Sequence, residues 1–271
     1  MPVTLPCGQC VGCRLERSRQ WAMRCYHEAS LFEHNCFITL TFNSQHLPED
    51  MSLDVRDWQL FMKKLRKKYG SGIRFFHCGE YGSHKGRPHY HACLFNFDFP
   101  DKKLWQIKNG YPLYRSPSLE ELWPYGYSTI GEVTFESAAY VARYIMKKIT
   151  GEAAEEHYQY VDPETGEIFD RKPEYTTMSR RPGIGKKWFE QFASDVYPSD
   201  FVVVNGKKLK PPKYYDGLFE VEDPDAFNKI KGERRKSAKQ HIDNNTPERL
   251  IIRERVQLNK LARLERNHDN G

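Results

Sequence analysis

A chain of 271 residues, 39% hydrophobic and 14% aromatic, is long enough to bury one real core, alone or with a smaller appendage. No apolar run approaches the ~20 residues of a membrane span, and the first residues lack the basic-then-apolar pattern of a leader, so neither a membrane nor a secreted protein is expected and a reducing cytoplasm is. The net charge of +6 is lopsided: from residue 229 on there are 12 Lys and Arg against 6 Asp and Glu, leaving 30 against 30 before it, so the body must contact any polyanion through local basic faces.

The chain opens on Cys7, Cys10 and Cys13, whose two-residue gaps let thiolates converge on one Zn²⁺, with Cys25 or His27 able to complete a tetrahedron; a plain cluster of reduced thiols explains the spacing equally well. Residues 13 to 32 then read as a helix with Arg14, Arg17, Trp21 and Arg24 on one basic face. Phe37 to Phe42 alternates in the two-residue period of a strand and runs into the turn-prone stretch 43 to 50. Trp58, Phe61, Met62, Leu65 and Tyr69 have helical spacing, and Gly70 stands where a left-handed cap would.

Ile73 to Cys78 predicts a strand, 79 to 88 a glycine-rich turn, and His89 to Phe97 the hairpin partner. Residues 98 to 126 read as loop, Tyr127 to Val133 as a further strand, and Ser137 to Ile149 as a helix ended near Gly151. Beyond it come turns at 162 to 166 and at Asn205-Gly206, a loop from Ser179 to Lys187, and a basic helix from Thr246 to Arg266. Hairpin-linked strands followed by helices predict the α+β class, an antiparallel sheet flanked by helices. Four stretches follow: a Cys-rich segment and helix over 1–33, a core over 34–200, a hairpin or linker over 201–228, and a basic helical or partly disordered tail over 229–271.

Two clusters carry chemistry. On a strand, His89 and His91 point to the same face with Tyr90 opposite, so both imidazoles can reach one divalent ion. Glu80, across the hairpin, is the preferred third ligand over His77 and His84, and a carboxylate beside two imidazoles suits Mn²⁺ or Mg²⁺ with positions open to a phosphate. On the predicted helix, Tyr140, Tyr144 and Lys147 share one narrow sector, separate from the apolar stripe of Ala138, Val141, Ala142, Ile145 and Ile149. A phenol with a pKa near ~10 is a poor nucleophile, so phosphoryl transfer to it needs the metal and nearby cations, for which Arg143 and Lys147 flank Tyr144, while Arg143 and Lys148 are also expected to contact DNA. Arg87 before the His pair, and Arg180, Arg181, Lys186 and Lys187 with Trp188 in the later loop, suit a DNA backbone and a stacked base. The competing reading for each is bland: packed histidines, edge tyrosines, a solvated turn.

Taken together, the Thr39-Leu40-Thr41-Phe42 strand, Arg87-Pro88-His89-Tyr90-His91, and Tyr140-Val141-Ala142-Arg143-Tyr144-Ile145-Met146-Lys147 resemble the HUH endonucleases, in that family's usual order. With the Cys cluster, Gly79-Glu80-Tyr81-Gly82 and Ser179 to Gly185, the likeness is to the replication initiators of microviruses, the gokushovirus branch in particular, from Cys7 to about Trp188. The resemblance implies a five-stranded antiparallel sheet with a ferredoxin- or RRM-like core and the His pair on a central strand. It also implies rolling-circle initiation in a bacterial host cytoplasm, by a nick at origin DNA that leaves a 5′-phosphotyrosine and a 3′-hydroxyl primer. A second tyrosine would cut the regenerated origin so that the circle can be resealed. Arg143 stands where relatives with paired tyrosines often carry lysine, and arginine cannot donate a proton, so Lys147 is the expected proton partner. No Gly-x-x-x-x-Gly-Lys-Ser/Thr loop is present, so unwinding would fall to a host helicase beside the host DNA polymerase. A transposase or relaxase of the same chemistry, and a zinc-containing DNA-binding protein that does not cut, are the alternatives.

Overall fold

The computed structural model describes residues 6–82, 86–143, 148, 151–162 and 165–268. Its first half is helix α1 (Val11–Ala29), strand β1 (Asn35–Phe42), α2 (Val55–Tyr69) and the hairpin β2 (Arg74–Tyr81) and β3 (Pro88–Phe95). There follow β4 (Lys103–Lys108), β5 (Tyr111–Arg115), α3 (Pro117–Leu122), β6 (Gly126–Gly131) and α4 (Phe135–Arg143). The second half holds α5 (Ala153–Tyr158), β7 (Gln159–Val161), β8 (Ile168–Asp170), β9 (Tyr175–Met178) and α6 (Lys186–Val196). It ends with β10 (Val202–Val204), β11 (Lys207–Leu209), α7 (Lys213–Glu222), α8 (Pro224–Lys239) and α9 (Pro247–His268).

The α+β class is as expected, but the sheet has seven strands rather than five, in the order β4-β5-β6-β1-β3-β2-β9, with every pair antiparallel. Setting aside the β4–β5 hairpin leaves five. That hairpin comes from the stretch read as loop, where exposure of almost every β4 side chain erases the buried-exposed alternation that marks a strand. Its tight turn is carried by Asn109 and Gly110, at φ +52° and +82°.

Alternation along β1 splits the sheet into two faces. Cys36, Ile38, Leu40 and Phe42 join Tyr90, Ala92 and Leu94 of β3 on the face closed by α2, whose Trp58, Phe61, Met62 and Leu65 are buried there. Asp54 caps α2 by accepting a bond from the Arg56 amide at 2.8 Å. Gly70 ends it at φ +102° with extended ψ, a glycine conformation but not the left-handed helical one expected. The opposite face carries Phe76 and Cys78 of β2 and Cys93 and Phe95 of β3 against Ala22 and Cys25 of α1 and Ala138, Val141 and Ala142 of α4.

The basic face expected on α1 is only partly solvated. Trp21 stacks on Phe76 at 4.9 Å, and the Arg24 guanidinium lies 3.9 Å from both the Trp21 and Tyr214 rings. Behind α1, a second core gathers Met23, Phe189, Val196, Tyr215, Phe227 and Ile230. β6 enters the sheet at Gly126, where any Cβ would stand 2.1 Å from the Thr41 carbonyl oxygen, so only glycine permits that approach. Among the described residues no helix is long and apolar enough to cross a membrane.

Candidate metal and tyrosine site

Pairing register brings the predicted ligands together. Glu80 of β2 lies opposite His89 of β3, and His89 lies opposite Thr41 of β1; one pair along, Cys78, His91 and Thr39 are aligned in the same way. Directly opposed residues share a face, so Glu80, His89 and His91 all sit on the side covered by α1 and α4. Glu80 Oε1 is 2.7 Å from His91 Nε2, both side chains being buried, and His91 Nδ1 is 2.9 Å from Thr39 Oγ1. The His89 and His91 rings are nearly parallel, with centroids 6.4 Å apart.

Partners decide the tautomer of His89. Its Nδ1 is 2.7 Å from the Arg87 carbonyl oxygen, which can only accept, so Nδ1 carries the proton and Nε2 keeps the lone pair a metal needs. Burial, and after it the neighbouring His91, holds the His89 imidazole below its ordinary pKa and favours the neutral, ligating form. Two imidazoles and a carboxylate share one buried face, donor types that suit Mg²⁺ or Mn²⁺, but their ligand atoms do not all lie within 4.8 Å of one another. Thr39 is the partner that the pattern of ligands did not reveal; its signal was the alternation of β1, which sets Thr39 and Thr41 on the His face.

His77 is no competitor for Glu80. It faces the other layer, its ring 3.9 Å from that of Trp58 and nearly parallel, with Nδ1 3.0 Å from Thr177 Oγ1, and burial holds it well below the ordinary imidazole pKa. His84 lies outside the described residues. Tyr140, on α4, presents its ring edge-on to His91 with centroids 5.3 Å apart, and also to Phe37 at 6.3 Å. Tyr144, Lys147 and the side chain of Arg143 lie outside the described residues, and Lys148 is exposed.

The remaining basic residues divide by position. Arg87 stays at the site, its guanidinium 3.0 Å from Ser44 Oγ just beyond β1. Ser179 bonds to Phe75, so the loop with Arg180 and Arg181 leaves from the opposite end of β2 to Glu80, about 17 Å from it at strand rise. Arg180, Arg181 and Lys187 are exposed there, and Lys186 pairs with Glu190 at 3.4 Å. The loop itself is clamped. Gly185 N–H donates to Glu28 Oε2 at 2.6 Å, Arg74 bridges Glu28 and the Pro182 carbonyl, and Arg24 reaches the Ile184 carbonyl. One face of Trp188, expected to stack a base, is taken by His27, with ring centroids 3.6 Å apart.

Among the described residues, Cys7, Cys10 and Cys13 are the His, Cys, Asp or Glu set whose ligand atoms all lie within 4.8 Å of one another. Cys7 Sγ and Cys13 Sγ stand 4.0 Å apart, near the ~3.8 Å edge of a tetrahedron with ~2.3 Å Zn–S bonds. Bonding to the Cys10 amide, foremost among local N–H groups, lowers the Cys7 thiol to about 7. Neither expected fourth ligand is there. Cys25 is buried against the sheet, 12 residues and about 18 Å along α1 from Cys13, and His27 is stacked under Trp188 with Nδ1 3.0 Å from the Tyr215 hydroxyl.

The family model of replication-associated protein ORF2/G2P matches residues 35–149 of this chain. Replication-associated protein VP4 of Bdellovibrio phage phiMH2K is 34% identical over 232 residues, which cover 82% of this chain and 69% of that protein. Replication-associated protein ORF2 of Spiroplasma virus 4 is 35% identical over 262 residues, covering 88% and 75%. Replication-associated protein ORF4 of Chlamydia phage 1 is 30% identical over 224 residues, covering 79% of this chain and 53% of that protein. No solved structure matches.

Proposed function

The chain belongs to the replication-associated proteins of the ORF2/G2P family, as a microvirus-like replication initiator, and from that premise we propose that it starts rolling-circle replication by nicking and rejoining one DNA strand through a tyrosine. The observation that carries this reading is the ring of Tyr140 edge-on to His91, above a face that also holds Glu80 and His89. A core histidine pair has no need of a buried carboxylate or of a tyrosine over it.

Glu80, His89 and His91 would hold Mg²⁺ or Mn²⁺, whose chemistry there is Lewis-acid polarisation of a phosphate. The residues of the chain do the rest. Thr39 and the Arg87 carbonyl fix the two imidazole rings from behind, so the ligands are set before DNA arrives. In the nick, the phenol oxygen of Tyr140 or Tyr144 bonds to the scissile phosphorus as the bond from phosphorus to the 3′ oxygen breaks. The phenol gives up its proton and the departing oxygen gains one, with Lys147 as partner, leaving a 3′-hydroxyl and a 5′-phosphotyrosine. Bond energy is kept in that link, so a later 3′-hydroxyl can reclaim the strand and the second tyrosine can cut again.

Cys7, Cys10 and Cys13, at the start of α1, would supply three thiolates to a structural Zn²⁺. A host helicase and the host polymerase complete the cycle, in the bacterial cytoplasm.

The test is direct. Labelled single-stranded oligonucleotides tiling the cognate genome are incubated with the full chain, with Mn²⁺ or with EDTA, beside Tyr140→Phe, Tyr144→Phe and the double variant, on denaturing protein gels. A metal-dependent covalent adduct lost only in the double variant is the expected result; cutting without an adduct removes the tyrosines, and no cutting removes the reading.

A further inference from the structure

Among the described residues, α1 and α4 roof the His face over β2 and β3, Phe37 of β1 packs at the edge of that roof, and the strands beyond carry exposed side chains. On β6, Tyr127 is 63% exposed although it lies directly opposite Thr41, which lies opposite His89. On β4, Trp105 is 52% exposed, at the bulge between Leu104 and Gln106. The Arg115 guanidinium lies 5.8 Å from the Trp105 ring, and Gly131 looks onto both Leu113 and Phe37, so these parts of β4 and β5 turn toward the His face as well.

Register then draws two rows across the strands. One runs from Tyr127 through Thr41 to His89 and Glu80. In the other, Lys103 is opposite Arg115, and the pairing of Tyr114 with Ile130 carries Arg115 opposite Thr129, which continues to Thr39 and His91. Four strand spacings separate Lys103 from His91, about 19 Å of sheet surface. The β4–β5 hairpin that supplies its outer end is the part of the sheet beyond five strands.

We propose that this open face is a single-stranded DNA track, in which Tyr127 and Trp105 stack bases and Lys103 and Arg115 meet phosphates on the way to the His pair. Exposed large aromatics cost solubility unless they meet a partner, and flat rings interleaved with cations match a strand of unpaired bases on a phosphate backbone. Arg115 is held by Glu120 at 2.8 Å, a surface pair weak enough for a phosphate to displace. The two rows end on His91 and His89, so a strand lying along them arrives at the residues that would cut it. That destination rests on the nicking reading; the track itself does not.

The experiment is fluorescence anisotropy of a labelled oligo-dT 20-mer with the full chain in EDTA, which separates binding from cutting. Trp105→Ala and Tyr127→Ala should each weaken binding about tenfold, with Trp105→Phe and Tyr127→Phe restoring most of it, as stacking requires. Lys103→Ala should flatten the salt dependence. Circular dichroism melts of each variant identify any that fail to fold, and the Phe variants then carry the comparison with wild type. Affinity unchanged in folded Ala variants overturns the track. So does a wild-type dimer in sedimentation that becomes a monomer in the same variants, which would give the face to a second copy of the chain. Loss of dT binding with no nicking in wild type leaves the track and removes the nuclease; nicking with unchanged dT binding does the reverse.

Discussion

The two faces of the central sheet hold similar residues to opposite ends. On the α2 face, His77 lies against Trp58, and Tyr90 donates to Asp57 Oδ2 at 2.7 Å, so aromatic and polar groups are sealed into a core. On the other face His91 has a carboxylate on one nitrogen and a threonine on the other, and a tyrosine over its ring. A histidine in a strand becomes a candidate ligand through what the neighbouring strands place on its face, and burial alone does not distinguish the two.

The largest break in that comparison is His89→Ala. Nicking should fall about 10³-fold with the fold intact by circular dichroism, because only the site face is touched; activity above a tenth of wild type would sink the ligand assignment. Its counterpart on the sealed face is Trp58→Ala, which removes a side chain stacked on both Phe61 and His77. That change should cost about 3–5 kcal/mol in denaturant titration while nicking per folded molecule holds.

Acid sharpens the same contrast. Burial lowers His27 from 6.5 to about 3, so the unfolded chain binds the proton that the folded one refuses. Stability should therefore decline as pH falls below 6.5 and stop declining on this account near 3, by about 2 kcal/mol at pH 5. Denaturant midpoints from pH 7.5 to 5 measure it, and His27→Phe should flatten the curve; an unchanged slope in that variant would assign the acid sensitivity elsewhere. The smallest effect is expected from Thr39→Val, which keeps the shape and removes the bond to His91 Nδ1. Nicking should drop about tenfold with a raised Mn²⁺ requirement, and an unchanged metal titration would deny Thr39 a positioning role.

Short-range pattern made much of the molecule legible. The period of β1, the apolar spacing of α2 and the His89-x-His91 strand needed only neighbours in sequence and are found as elements there, but the turn expected over 79 to 88 is shorter: β2 runs on through Glu80 to Tyr81 and β3 starts at Pro88. Asn205 and Gly206 take the two left-handed positions of the β10–β11 hairpin, as their types require. Local pattern failed where exposure or burial is set by distant chain. The β4–β5 hairpin read as loop because its strands lie at a sheet edge with little buried face. Cys25 read as a zinc ligand because sequence cannot say that α1 turns it into the sheet.

By itself, then, the sequence marked the candidates: two histidines one residue apart on a strand, a carboxylate across the turn ranked above His77, a tyrosine helix and a thiol cluster. That His77 turns to the α2 layer was decided by tertiary structure, as were the contact between Tyr140 and His91 and the exposed side chains beside them. All three depend on strand register and on which helix covers which face, and those are fixed by packing between residues tens of positions apart.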